Sequence, residues 1–200
     1  MNEQQDLDIE ALKKGDRAEF AKLVDAYSGH IYRLALKITG NEQDAEDVLQ
    51  QTFINTFKHI QNFEGRSTLS TWIYRVASNE ALMVLRRDKK EVSIDQDSDD
   101  DNDEIAKPIE LADWSRLPES EFQTAEASKM LDQAITRLPI KLRSVFVLRD
   151  LEGLSIRETA QALELTETAV KTRLLRARLN LREQLAHYFG EKTREDAKGE

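Results

Sequence analysis

From Thr168 to Arg182 the chain carries five cations, Lys171, Arg173, Arg176, Arg178 and Arg182, and no acid. Guanidinium forks match guanine O6 and N7 and also phosphate oxygens, so a helix with this face has the chemistry to hold duplex DNA. Thr168, Lys171, Thr172, Arg173 and Arg176 would share its outer face. Ala169, Val170, Leu174, Ala177, Leu181 and Leu185 would form its inner stripe. The plainer reading of the same residues is a basic, solvated face on a helix of any bundle. A second cluster surrounds the polar break at 62–68. Phe63, Trp72 and Tyr74 lie among Arg66, Arg75, Asn79, Arg86 and Arg87. Unpaired bases need aromatic faces to stack on and a cationic track for the backbone, and an Asn amide can pair bidentately with a base edge. Here too a plain reading stands: Phe63 and Trp72 as core residues, with Trp72 at the margin of a stripe formed by Ile73 and Val76.

A third group, Asp44, Glu46, Asp47, Gln50 and Gln51, forms a polar helical face. Paired carboxylates raise the possibility of a metal-dependent nuclease, but no third and fourth ligand follows at suitable spacing, and His30, His59 and His187 are scattered. A solvated face or a partner surface fits better. No catalytic constellation, phosphate-cradling Gly loop or dinucleotide fingerprint occurs. The expectation is a non-enzymatic protein with no metal and no cofactor.

Charge divides the chain. The formal net charge of the 200 residues is −9, which by itself argues against a nucleic-acid partner. Residues 91–125, however, hold 12 acidic and 2 basic side chains, whereas 126–186 are net positive. At a Debye length of about 8–10 Å a phosphate backbone responds to the local field, not to the total. The run DQDSDDDNDE at 95–104 is too charged and too poor in apolar groups to compact, and reads as a flexible linker. A calcium loop starting at Asp95 fails because Asp100 stands where Gly is required and Ala106 where a bidentate Glu is required. Ile109, Leu111, Trp114, Leu117 and Phe122 suggest that the second half of the linker docks on something.

The elements that must position these groups are helical. Phe20, Leu23, Val24, Tyr27, Ile31, Leu34, Ala35 and Ile38 recur at three- and four-residue steps, up to Gly40. Asn41 caps the next helix, whose stripe is Ala45, Val48, Leu49, Thr52, Phe53, Thr56, Phe57 and Ile60. Leu69 to Arg87 forms another. Beyond the linker, Leu131, Ile135 and Leu138 make one stripe. Pro139 opens a helix with Leu142, Val145, Phe146 and Leu148, ending near Gly153. Ser155 and Glu158 form a capping box before a short helix, and after a turn at Glu164-Leu165 Thr166 caps the long basic helix. A short helix, a tight turn and a longer basic helix make a helix-turn-helix, although the turn has Glu164 where Gly is common. The expected fold is all-α: two small helical domains, 1–90 and 126–187, joined by the acidic linker 91–125 and followed by a tail, 188–200. The absence of cysteine excludes a disulfide scaffold, and no run is apolar enough to span a bilayer. The polar N-terminus is unlike a signal peptide, and the cytoplasm is the expected location.

At this point three segments, in order, resemble bacterial RNA polymerase sigma factors. The stretch DAEDVLQQTF (44–53) resembles their core-polymerase-binding helix. FEGRS (63–67), TWIYRVASN (71–79) and Arg86-Arg87 are similar to their promoter-melting and −10-reading segment. LPIKLRSVFVLR (138–149), EGLS (152–155) and AVKTRLLRAR (169–178) resemble their −35-reading domain. Two domains at this length point to the extracytoplasmic-function (ECF) group. The resemblance implies that Asp44, Asp47, Val48, Gln50, Gln51 and Phe53 bind the β′ clamp helices of core polymerase. Phe63, Arg66, Ser67, Thr68, Trp72, Arg75, Asn79, Arg86 and Arg87 would capture the melted −10 strand. Thr168, Lys171, Thr172, Arg173, Arg176 and Arg178 would read the −35 element. It also implies that apolar residues of 139–150 meet the β flap, that the acidic linker threads the polymerase cleft, and that an anti-sigma protein holds the factor in check. A stand-alone helix-turn-helix regulator is the alternative. In the free chain the acidic segment is expected to cover the basic helix.

Overall fold

The computed structural model describes residues 7–92 and 125–196, and the described residues are helical without strands. The acidic run 95–104, its calcium reading and the docking residues 109–122 lie outside them. The first bundle comprises α1 (Ile9–Lys13), α2 (Arg17–Thr39), α3 (Glu42–His59), a single 3₁₀ turn (Ile60–Asn62) and α4 (Leu69–Val92). The second comprises α5 (Ala125–Arg137), α6 (Ile140–Phe146) with a π-helical continuation (Val147–Leu151), α7 (Ile156–Leu163) and α8 (Glu167–Asp196).

Helix starts follow from short polar side chains that satisfy the free N–H groups of each first turn. Asp16 accepts from the N–H groups of Ala18 and Glu19 at 2.8 and 3.0 Å, and Asn41 accepts from Asp44 N–H at 3.1 Å. The sequence reading overlooked α1. It is held by the Asp8 cap and by Glu19, whose carboxylate accepts from Asp8 N–H at 2.8 Å and from Lys22 Nζ at 2.9 Å. Gly40 ends α2 with φ +77°, a left-handed conformation that a side chain disfavours.

The apolar stripes converge as their spacing predicts. Leu23, Ile31, Leu34, Ile38, Val48, Ile60, Ile73 and Ala77 are buried in the first bundle. Leu138, Val145, Val147, Leu148, Val170, Leu174, Leu181 and Leu185 are buried in the second. Each large aliphatic removed from water contributes roughly 1.5–3 kcal/mol. Phe57, expected inside, is 45% exposed, its ring set edge-to-face with that of Phe20, centroids 5.0 Å apart. Pro139 stands just before the first turn of α6 as its cap residue, not within it. The π turn was also unforeseen. There Glu152 N–H reaches back five residues to Val147 O, and Leu154 N–H reaches Leu148 O.

The two bundles are not separated in space. Their buried apolar residues form one contiguous cluster, with α7 lying along α4 and α5 against α2. At the junction sits a buried guanidinium. Arg143 donates to Leu138 O from Nε and Nη2, to Thr136 O from Nη2, and to Ile38 O from Nη1 at 2.6 Å. It thus serves carbonyls left open at the ends of α5 and α2. Burial of the guanidinium pulls its pKa down, which these acceptors must offset. Arg143→Met leaves them dry. A loss of about 3 kcal/mol is expected, seen as a lower denaturant midpoint at unchanged slope.

Candidate nucleic-acid interface

α7, its turn and the start of α8 are built from local bonds. Ser155 Oγ accepts Glu158 N–H at 3.2 Å, and Glu158 Oε2 accepts Ser155 N–H at 2.9 Å, a closed capping box. The hydrogen bonds to Ser155 hold the Glu158 carboxyl below its ordinary pKa. In the turn, Leu165 N–H donates to Ala160 O at 2.9 Å, and Thr166 Oγ1 accepts Ala169 N–H at 3.1 Å. Buried Ala160, Ala162, Val170 and Leu174 let the two helices cross closely. Glu164 takes the left-handed conformation, φ +56°, among the described residues the one such case that is not glycine.

This geometry leaves Thr168 and Lys171 exposed and Thr172, Arg173 and Arg176 half-buried along the first turns of α8. Arg178 departs from the expected set. It lies beside the inner stripe and clamps Asp150 with two bonds, Nε–Oδ2 at 2.9 Å and Nη2–Oδ1 at 2.8 Å. The pair raises the guanidinium pKa further and ties α8 to the π turn.

The aromatic cluster divides similarly. Phe63 is 5% exposed, with its ring 5.7 Å from that of Trp72. Phe63 therefore belongs to the core and presents no open face, whereas Trp72 is half-buried at the margin. Thr68 caps α4: its Oγ1 accepts Thr71 N–H at 3.2 Å, and its carbonyl accepts Trp72 N–H at 3.1 Å. Ser67 is half-buried; Arg66, Asn79, Arg86 and Arg87 are exposed, Arg66 beside Glu64. Arg75 is ion-paired with Glu164 of the helix-turn-helix.

On α3, Asp47, Gln50 and Gln51 are exposed, Asp44 and Phe53 half-buried, and Val48 buried. Val48 anchors this face from beneath without being part of it. The sequence reading passed over Ile54, 46% exposed, and misplaced Phe57. Asp47, Gln50, Gln51, Ile54 and Phe57 follow i, i+3, i+4, i+7 and i+10 spacing, one continuous stripe of mixed polarity. An isoleucine among glutamines was the signal. Among the described residues no group of three or more His, Asp or Glu side chains is placed to hold a metal ion. No described helix is long and apolar enough to cross a membrane.

Comparison with known proteins gives these surfaces a context. The Sigma-70 region 2 family matches residues 23–91, and Sigma-70, region 4 matches 128–181. The chain is 36% identical over 183 residues to the ECF RNA polymerase sigma factor SigW of Bacillus subtilis, covering 88% of this chain and 94% of that one. The chain belongs to the ECF sigma factors. This sigma factor is also 30% identical over 174 residues to the ECF RNA polymerase sigma-E factor of Haemophilus influenzae, covering 85% and 89% of the two chains. Its fold is like that of CnrH in complex with the cytosolic domain of CnrY, with TM-score 0.63, 22% identity and 90% and 95% coverage. It is also like that of the sigma factor RpoE in complex with the anti-sigma factor NepR from Bartonella quintana, with TM-score 0.60, 21% identity and 84% and 96% coverage. Nothing among these relatives supports a stand-alone regulator.

The capping box makes the helix-turn-helix pH-sensitive. Because the folded pKa of Glu158 lies below its unfolded value, its contribution is complete above the unfolded pKa. It is lost as pH falls through the folded value. Ser155→Ala is expected to cost about 1 kcal/mol at pH 7. Glu158→Gln should flatten the acid limb of a plot of melting temperature against pH.

Proposed function

We propose that this sigma factor engages core RNA polymerase through the outer face of α3 and places its two bundles on the two promoter elements. Asp44, Asp47, Gln50 and Gln51, joined by Ile54 and Phe57, meet the β′ clamp helices. Val48 and Phe53 support them from within. The break from Phe63 to Thr68 and the first turns of α4 receive the melted −10 strand. Trp72 offers the aromatic surface with Phe63 behind it, and Arg66, Arg75, Asn79, Arg86 and Arg87 provide cations and amide donors. Ser67 and Thr68 shape the loop that accepts an unstacked base. Unstacking costs a few kcal/mol per base, within what such stacking returns. Thr168, Lys171, Thr172, Arg173 and Arg176 enter the major groove at −35, where early positions meet base edges and later ones phosphates. Apolar residues of 139–150 hold the β flap. The acidic segment occupies a basic channel of the polymerase. The factor itself performs no bond chemistry, acts in the cytoplasm and is restrained by an anti-sigma protein.

The observation that carries this reading is the exposed Asp47–Gln50–Gln51–Ile54–Phe57 stripe, because a regulator that bound DNA alone would have no use for it. The test is gel filtration of the chain with core polymerase lacking other sigma factors, followed by transcription from a fragmented genome. Co-elution, with starts downstream of a shared pair of elements, is expected. DNA binding by the chain alone without co-elution would overturn the reading. Ile54→Asp should weaken co-elution about tenfold without lowering stability. Arg176→Ala should cost about 1–3 kcal/mol at one base position of the −35 element, whereas Lys171→Ala should weaken all sequences equally and reduce the salt slope by about 1.

A further inference from the structure

Among the described residues four large apolar side chains lie open to solvent: Ile54, Phe57, Leu151 and Met83. Ile54 and Phe57 belong to the α3 stripe, and Leu151 closes the π turn. Met83, on α4, is the most open at 58% and has no part in the surfaces assigned above. A single exposed apolar side chain is ordinary on a protein surface, so its neighbours decide what it means. Arg75, Asn79, Met83 and Arg87 stand four residues apart and share one row of α4, with Arg86 beside the last, and all of them are exposed. Met83 thus has an amide on one side and two guanidinium groups on the other.

The row is also kept clear of negative charge. Between Arg75 and Arg87 the sequence has one acid, Glu80. Glu80 is half-buried, and its Oε1 accepts from Asn55 Nδ2 of α3 at 2.7 Å. Asn55 is itself oriented by Gln51, whose Nε2 donates to Asn55 Oδ1 at 3.0 Å. The carboxylate is thereby drawn toward α3. At the start of the row Arg75 pairs with Glu164. Met83 lies about 12 Å further along the axis, clear of that pair. On such a surface the amide can meet a base edge and the guanidinium groups can meet phosphates. The apolar group between them has a matching feature on a base, the methyl of thymine.

We propose that Met83 is a specificity-determining residue of the promoter contact: its side chain packs against the C5-methyl of a thymine in the still-paired flank of the −10 element. The proposal deepens the reading of α4 as the −10 surface and rests on it. A helix rises about 1.5 Å per residue, so Met83 lies about 6 Å beyond Asn79, on the side away from Trp72 and the 63–68 break. That is about two base steps of roughly 3.4 Å. This part of α4 is past the loop that accepts unstacked bases, and a paired thymine presents its methyl in the major groove. Asn79 then reads one base edge, Met83 an apolar spot further on, and Arg86 and Arg87 hold the phosphates beyond. The unbranched thioether is flexible and polarizable, which lets it follow a methyl group whose place shifts with local duplex shape.

The test uses holoenzyme formed from the full chain and core polymerase, with promoter fragments randomised over the −10 element and its paired flank. The parent should enrich thymine at a position where Met83→Ala does not, with selection elsewhere unchanged. Met83→Leu, which keeps the apolar surface, should keep that preference. Deoxyuridine at the same position removes only the methyl. It should weaken binding by the parent about threefold to fivefold and leave Met83→Ala unaffected. The assignment is overturned if no thymine preference depends on Met83, or if Met83→Ala weakens all sequences equally. It is also overturned if Met83→Ala lowers co-elution with core polymerase, which would place the side chain on a protein partner. A parent chain that fails to join core polymerase at all would instead overturn the functional reading on which this contact rests.

Discussion

The architecture depends on one buried cation. Arg143 lies where α2, α5 and α6 meet, and its planar fork reaches main-chain carbonyls in both bundles. Helix C-termini leave carbonyls without partners, and a guanidinium with five donors can serve several from one position. A lysine could not span them, and an apolar side chain would leave the helix ends dry. Because Ile38 belongs to the first bundle and Leu138 to the second, one side chain both closes α5 and fixes where α2 may lie. The Tyr74–Glu152 and Arg75–Glu164 contacts follow from that placement.

Around this junction the same physical device recurs: charge is placed where it completes a helix end or a helix contact. Glu19 joins α1 to α2, Glu158 closes the start of α7, and Asp150 fixes α8 through Arg178. Each of these groups joins or closes helices through bonds of 2.8–2.9 Å. The mixed stripe of α3 and, on α8, Thr168 and Lys171 face outward.

Most of the helical plan was legible along the chain. Apolar spacing marks α2 to α8, and Asn41, Ser155, Glu158 and Thr166 announce helix starts because their bonds span only two or three residues. The basic face of α8 was equally plain. Residues at the margin of a stripe were the least legible. Phe63 and Arg178 each sit beside an inward stripe and pack or pair with a tertiary partner, Trp72 and Asp150 respectively, a contact that their spacing does not announce. Phe57 stands on the inward stripe by spacing, yet it is 45% exposed beside Phe20 of α2.

The sequence by itself determined α2 to α8, their order and the helix-turn-helix, because caps, turns and apolar periodicity act over a few residues. Tertiary structure alone decided which of those side chains are open to a partner and how the bundles meet. The deciding bonds join residues far apart in the chain: Ile38 with Arg143, Tyr74 with Glu152, Arg75 with Glu164. No local pattern encodes such a pairing, since each partner satisfies its own helix equally well whether or not the other is present.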